Sequence, residues 1–230
     1  MVNHKLLRLS ATLSFIGLVV YSVASLLHAD GGPTYQATFA SYAASADWAA
    51  VHLGEFVGMA TLLAGLIALF FALNVSQGAP RWLGFFGAIA AGVTLALEGV
   101  VYIVDGVALK QAVDAWASAP TAEQATRFAS ALAIRWLEWG ANSYSNIMLG
   151  LTMVLFALTI VWTARVTRPI GYLMGLSGLA FIVVGWIVGT EGFGPHAVPM
   201  DAGALFLSAW IIWLLVVAWR RKEAVEVVPA

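Results

Sequence analysis

Cysteine is absent from all 230 residues. That removes disulfides, iron–sulfur clusters, thiolate zinc sites and covalent haem attachment. Charge is scarce as well: 10% of residues are Asp, Glu, Lys or Arg, where soluble domains carry about a quarter. The formal net charge of −1 gives no electrostatic basis for nucleic acid as a partner. Lysine occurs only as Lys5, Lys110 and Lys222, at the ends of apolar runs or beyond them, so a retinal Schiff base inside a bundle is excluded. What fills the chain instead is hydrocarbon, 61% hydrophobic residues with a mean hydropathy of +0.89. A chain of this kind is a polytopic membrane protein whose first partner is the lipid bilayer.

The apolar runs predict an all-α integral membrane protein, a six-transmembrane-helix bundle forming one domain over residues 1–230. The expected spans are 6–28, 48–73, 82–105, 132–163, 170–190 and 202–220. The first follows His4, Lys5 and Arg8 as a signal peptide would, but it is long and lacks a small-x-small site before Asp30, so it reads as an uncleaved helix. Breaks carry turn residues: Gly31-Gly32-Pro33, Asn74–Pro80, Arg168-Pro169 and Gly192–Pro199. The tail from Arg220 to Ala230 is expected to be disordered. Residues 107–116, with Val107, Leu109, Val113 and Trp116 among polar neighbours, read as a short helix in the outer interface. Thr121 and Gln124 resemble a capping box opening the fourth helix. Trp48, Trp116, Trp136, Trp139 and Trp186 fit one aromatic belt, and Trp82, Trp162 and Trp219 the other.

Basic residues orient the spans. Lys5, Arg8, Arg81, Arg165, Arg168 and Arg220–Lys222 all fall on one side, against Lys110 and Arg127 on the other. The positive-inside rule therefore predicts both termini in the cytoplasm.

Polarity enters the bundle in the stretch Ala133–Asn146, AIRWLEWGANSYSN. At helical spacing Arg135, Glu138, Asn142 and Ser145 share one face. A charged side chain at the bilayer centre costs about 2.5–3.5 kcal/mol on insertion scales, so such residues normally face a bundle interior. Further faces carry His52, Glu55 and Met59; Thr94, Glu98, Tyr102 and Asp105; and Tyr21 with His28. Glu191 ends the fifth span, and His196 and Asp201 precede the sixth. All of these belong to the outer half of the six-span arrangement, which predicts one outward-facing polar site.

The chain also echoes itself. LGEF and WLEW, the two GL pairs that follow, and the two FAL triplets align the second span with the fourth. RWLGFF and RPIGYL, with Asp105-Gly106 and Glu191-Gly192, align the third with the fifth. A parallel repeat of hairpins 2–3 and 4–5 would set Glu55 opposite Glu138 and Asp105 opposite Glu191. Duplication and chance likeness between apolar segments both account for it.

Several carboxylates then share a site with one fixed cation, Arg135. They cannot all stay ionised and unpaired: some are protonated, hydrated or bound to a cation. Three readings follow. In the first, His52, Glu55, Glu98 and Glu138 hold a divalent metal such as Fe, Mn or Zn, with His28, Tyr102, Asp105, Arg135, Asn142 and Glu191 lining the site. A haem between His28 and His52 is less favoured, because both lie at helix ends. In the second, the carboxylates take up protons or an organic cation in a transporter or sensor, and Gly140, Asn142 and Asn146 loosen the fourth helix. In the third, Arg135 pairs with Glu138 or Glu55 and the other acids sit in interfacial water. The metal reading, with a small or lipophilic substrate, is preferred.

The blocks HLGEFVGM, DGVALKQAVDAW, RWLEWGANSY and EGF resemble those of uncharacterised bacterial multi-pass membrane proteins. The resemblance implies a bacterial cytoplasmic (inner) membrane and no named activity. The loop charges generate a direct test of topology. A reporter fused after Arg221 is expected to behave as cytoplasmic, and a tag near Ser118 to react with an impermeant label from outside. Reversed accessibility would overturn the orientation.

Overall fold

Apolar runs of this length can satisfy their backbone groups in hydrocarbon only as helices or closed barrels, and no strand-like alternation competes here. The computed structural model describes residues 2–29, 31–193 and 197–220, and these are helical with no strand among them. In order they are α1 (His4–Ser25), α2 (Tyr35–Ala44), α3 (Trp48–Leu73), α4 (Ala79–Ile103), a π-helical segment (Val104–Leu109), α5 (Lys110–Ala117), α6 (Thr121–Thr163), α7 (Arg168–Glu191) and α8 (Ala197–Arg220). Six helices are long and apolar enough to cross a membrane: α1, α3, the run Ala79–Ala117, α6, α7 and α8. Asp30, His196, Arg221, Lys222 and the rest of the tail lie outside the described residues.

Several boundaries differ from the sequence reading. The third span does not stop at residue 105 before a separate interfacial helix. It continues through the π segment into α5, a single run of 39 residues. Leu109 and Val113 hold it there, fully buried in a cluster with Phe39, Tyr42, Trp48 and Ala131. Gly106, a poor helix former, is tolerated because a side chain there would collide with His52. α2 was not expected at all. Ten residues are too few for a helix to stand alone, but Phe39 and Tyr42 bury against α3 and α5, and Thr34 caps the first turn by accepting from the Ala37 amide.

Other local signals also gave way. α6 begins at Thr121, so Thr121 is its first helical residue and not its cap. Pro120 precedes it without a side-chain cap bond, and its carbonyl accepts from the Glu123 and Gln124 amides. The helix runs unbroken through Gly140, Asn142 and Asn146, with the Asn146 side-chain amide donating back to the Asn142 carbonyl and side chain. α8 starts early enough to take in Asp201, which is exposed. Trp48 is no belt residue: it is 1% exposed. Trp82, Trp136, Trp162, Trp186 and Trp219 are exposed, as belt positions require.

Small residues set the helix pairs. A side chain on Gly17 of α1 would strike the α3 backbone at Gly58 and Leu62, and one on Gly150 of α6 the Gly178 carbonyl of α7. Hydroxyls tie the same surfaces together: Ser10 donates to the Gly65 carbonyl, Ser143 to Gly185 and Ser177 to Gly203. Close backbones and such bonds replace the hydrophobic effect, which does not drive association among helices in lipid. A large apolar core, including Leu63, Leu66, Met153, Phe156 and Trp210, fills the end away from α2 and α5.

This packing predicts opposite outcomes at two glycines. Gly150→Ala is expected to lower detergent-solubilised thermal stability, on the scale of about 1–3 kcal/mol for an overpacked site. Gly92→Ala, where nothing lies within 4 Å, is expected to be neutral or to gain up to about 1 kcal/mol of helix propensity. Paired thermal melts check both, and equal responses would contradict the close α6–α7 contact.

Candidate metal centre

Three side chains meet where the end of α1, the start of α3 and the π segment converge. His52 lies one turn beyond Trp48 on α3. Its Nδ1–H donates to the Trp48 carbonyl oxygen at 2.7 Å, and its Nε2 faces Asp105 Oδ2 at 3.0 Å. A carbonyl oxygen only accepts, so the ring proton of neutral His52 is held on Nδ1. That leaves the Nε2 lone pair against a carboxylate oxygen, an arrangement that requires a proton or a cation between them. His28, just past α1, repeats the pattern by donating from Nδ1 to the Ala29 carbonyl at 2.9 Å. One ligand atom from each of His28, His52 and Asp105 lies within 4.8 Å of both others.

The surroundings are built to hold this geometry. The indole of Trp48 donates to the Asp105 backbone carbonyl at 3.1 Å, so one residue positions both His52 and Asp105. The His28 and His52 rings have centroids 5.0 Å apart, and His28 also stacks at a tilt on Trp48. His52 is 2% exposed and Asp105 8% exposed. Asp105 Oδ1 is buried with no hydrogen-bond partner. Asp105 sits in a π-helical turn, whose widened ring re-aims side chains and recurs at functional sites.

The other residues expected at a metal are engaged elsewhere. Glu55 accepts from the Ser25 hydroxyl at 2.8 Å, Glu98 from Ser145 at 2.5 Å, and Glu138 from Arg135 at 2.5 Å. Among the described residues the three-member group therefore joins His52 with His28 and Asp105, and does not include Glu55, Glu98 or Glu138. Tyr102 stands beside His52, with ring centroids 6.3 Å apart. Asn142 is occupied by Asn146. Glu191 is exposed and lines a separate pocket with Arg135. Trp48 was missed as a site residue, since its sequence position at a span start is also that of a belt tryptophan.

Arg135 forms a second polar knot. Besides Glu138 it donates to the Tyr42 hydroxyl at 3.3 Å and lies 4.7 Å from the Phe193 ring centre. Burial pushes the Tyr42 hydroxyl above the ordinary tyrosine range, against the pull of the Arg135 charge, so Tyr42 stays neutral. Two cavities lie near the site residues, one of them at the centre itself. One, of about 280 Å³, opens between α3 and α4 past exposed Leu53, Ile103 and Val107 and reaches His52 and Tyr102. The other, of about 150 Å³, lies inside the bundle beside Glu98 and also touches Tyr102.

No family model, curated protein or solved structure matches this chain. Function is therefore read from the site.

The Arg135 side chain is 12% exposed and that of Glu138 only 3%, so breaking the pair strands a buried charge. Arg135→Ala is expected to cost about 3–5 kcal/mol, with partial rescue by adding Glu138→Gln. A neutral Arg135→Ala in thermal melts would show that water solvates Glu138 in place of the guanidinium.

Proposed function

We propose that the protein is an integral membrane metal-binding protein whose ligands are His28 Nε2, His52 Nε2 and the Asp105 carboxylate, acting on a small or lipophilic substrate. The mutual approach of these three groups carries the reading. Both imidazoles donate from Nδ1 to backbone carbonyls, the outer hydrogen bond by which proteins fix the tautomer of a ligating histidine. The 3.0 Å between His52 and Asp105 is close to the roughly 3.3 Å separating neighbouring ligands on a tetrahedral ion with bonds of about 2.0–2.1 Å. The unpartnered Asp105 Oδ1 supplies further donor capacity.

Nitrogen and oxygen ligands suit Fe, Mn or Zn. Two imidazoles and one carboxylate leave coordination positions open, where such an ion polarises a substrate oxygen or activates water. The chain's own residues provide the rest. Trp48 holds His52 and Asp105 in place. Leu53, Phe56, Ile103 and Val107 form an apolar approach from the bundle's flank, suited to a substrate dissolved in hydrocarbon. Tyr102 lines the same approach beside His52. On the loop charges, the setting proposed is the bacterial cytoplasmic membrane with the centre toward the outside. A cation-coupled transporter is the weaker reading, because α6 runs unbroken where a transport helix would open.

Protein purified without added metal is expected to carry a near-stoichiometric transition metal by elemental analysis. His28→Ala, His52→Ala and Asp105→Asn should each lose most of it while still eluting as folded protein. Glu55→Gln and Asp201→Asn should retain it. Full metal content in all three ligand variants, or no metal and no thermal stabilisation by added zinc, manganese or ferrous ion, would reduce the His52–Asp105 contact to a charged pair.

A further inference from the structure

The cavity of about 150 Å³ beside Glu98 plays no part in the metal centre and has a chemistry of its own. Glu98 is 7% exposed, and Ser145 donates to only one of its oxygens. Among the described residues no hydrogen bond reaches the other oxygen, and no lysine or arginine pairs with this carboxylate. Arg135 is committed to Glu138 and Tyr42. Glu55, which accepts from the Ser25 hydroxyl, brings no cation either. A carboxyl group with one unbonded oxygen thus stands deep in an apolar bundle, where either a proton or a positive partner from outside the fold compensates its charge.

The walls say which kind. A hard metal ion favours several charged oxygen ligands, whereas the cavity offers one carboxylate among neutral groups such as Asn142, Asn146 and Ser208, and a hydrocarbon wall that includes Met59 and Phe181. Tyr21 and Tyr102 also line the cavity, and aromatic rings attract organic cations. A cavity of about 150 Å³ accommodates a benzene-sized guest. We propose that this cavity binds a small organic ammonium ion, with Glu98 as counter-ion and the wall around Met59 and Phe181 enclosing the hydrocarbon body. Entry is between α1 and α8, where the lining residues Ser22 and Ala204 are exposed. The site stands independently of any metal at His28, His52 and Asp105.

Cyclohexylammonium is a suitable probe, with cyclohexanol as its uncharged counterpart, titrated calorimetrically into the full-length protein in detergent. Saturable binding of one ammonium per chain is expected, with cyclohexanol at least tenfold weaker. Glu98→Gln should weaken ammonium binding at least tenfold, and Ala204→Phe, which fills the cavity from its rim, should abolish it. Glu123→Gln, at an exposed pair with Arg127, should bind as the unaltered protein does. The proposal fails if cyclohexanol binds as tightly as the ammonium, if either cavity variant folds and binds normally, or if no saturable binding is seen.

Discussion

The contact on which the polar end of this bundle depends is His52, held between the Trp48 carbonyl and the Asp105 carboxylate. It joins the first turns of α3 to the π segment beyond α4, and His28 closes over it from α1. Trp48 serves it twice, through its carbonyl and its indole, and is buried for that reason. α2, the end of the π segment and α5 then cover Trp48 with Phe39, Tyr42, Leu109 and Val113. Removing water from this knot is what makes the pairing strict: a buried imidazole or carboxylate without a partner costs far more than the same group in solvent.

The opposite end is organised by a different constraint. There the helices meet through close glycines and the bond from Ser10 to the Gly65 carbonyl, and the core is hydrocarbon throughout. Tight pairs, α1 on α3 and α6 on α7, leave the side-chain stacks on their polar faces little freedom. Each buried acid at the polar end has consequently found a specific local donor: Ser25 for Glu55, Ser145 for Glu98, Arg135 for Glu138. Asp105 keeps a buried oxygen without a partner beside the two histidines, and Glu98 borders a cavity.

Periodicity along the chain was enough to place the membrane-capable helices and to put Glu55, Glu98, Asp105 and Glu138 on inward faces, because burial of a face is a property of one helix at a time. It was not enough to group them. His52 and Glu55 share a face at adjacent turns, which made them look like neighbouring ligands, yet a slight difference in direction sends one to Asp105 and the other to Ser25. The extension of the third span past Gly106 was equally hidden. Composition marks Asp105-Gly106 as a helix end, and only the buried seats of Leu109 and Val113 overrule it.

By itself, then, the sequence determined the helical class, the membrane-capable runs, the want of any thiol chemistry and the gathering of ionisable residues toward one end. These follow from local hydropathy and composition, which act within each segment. The tertiary structure alone decided which acid meets which base, that His28 joins His52 and Asp105, that Trp48 is a keystone and not a belt residue, and that a cavity remains beside Glu98. Those outcomes depend on the relative depth and rotation of neighbouring helices. Small residues such as Gly17, Gly106 and Gly150 set that depth, and their effect exists only once the helices are in contact.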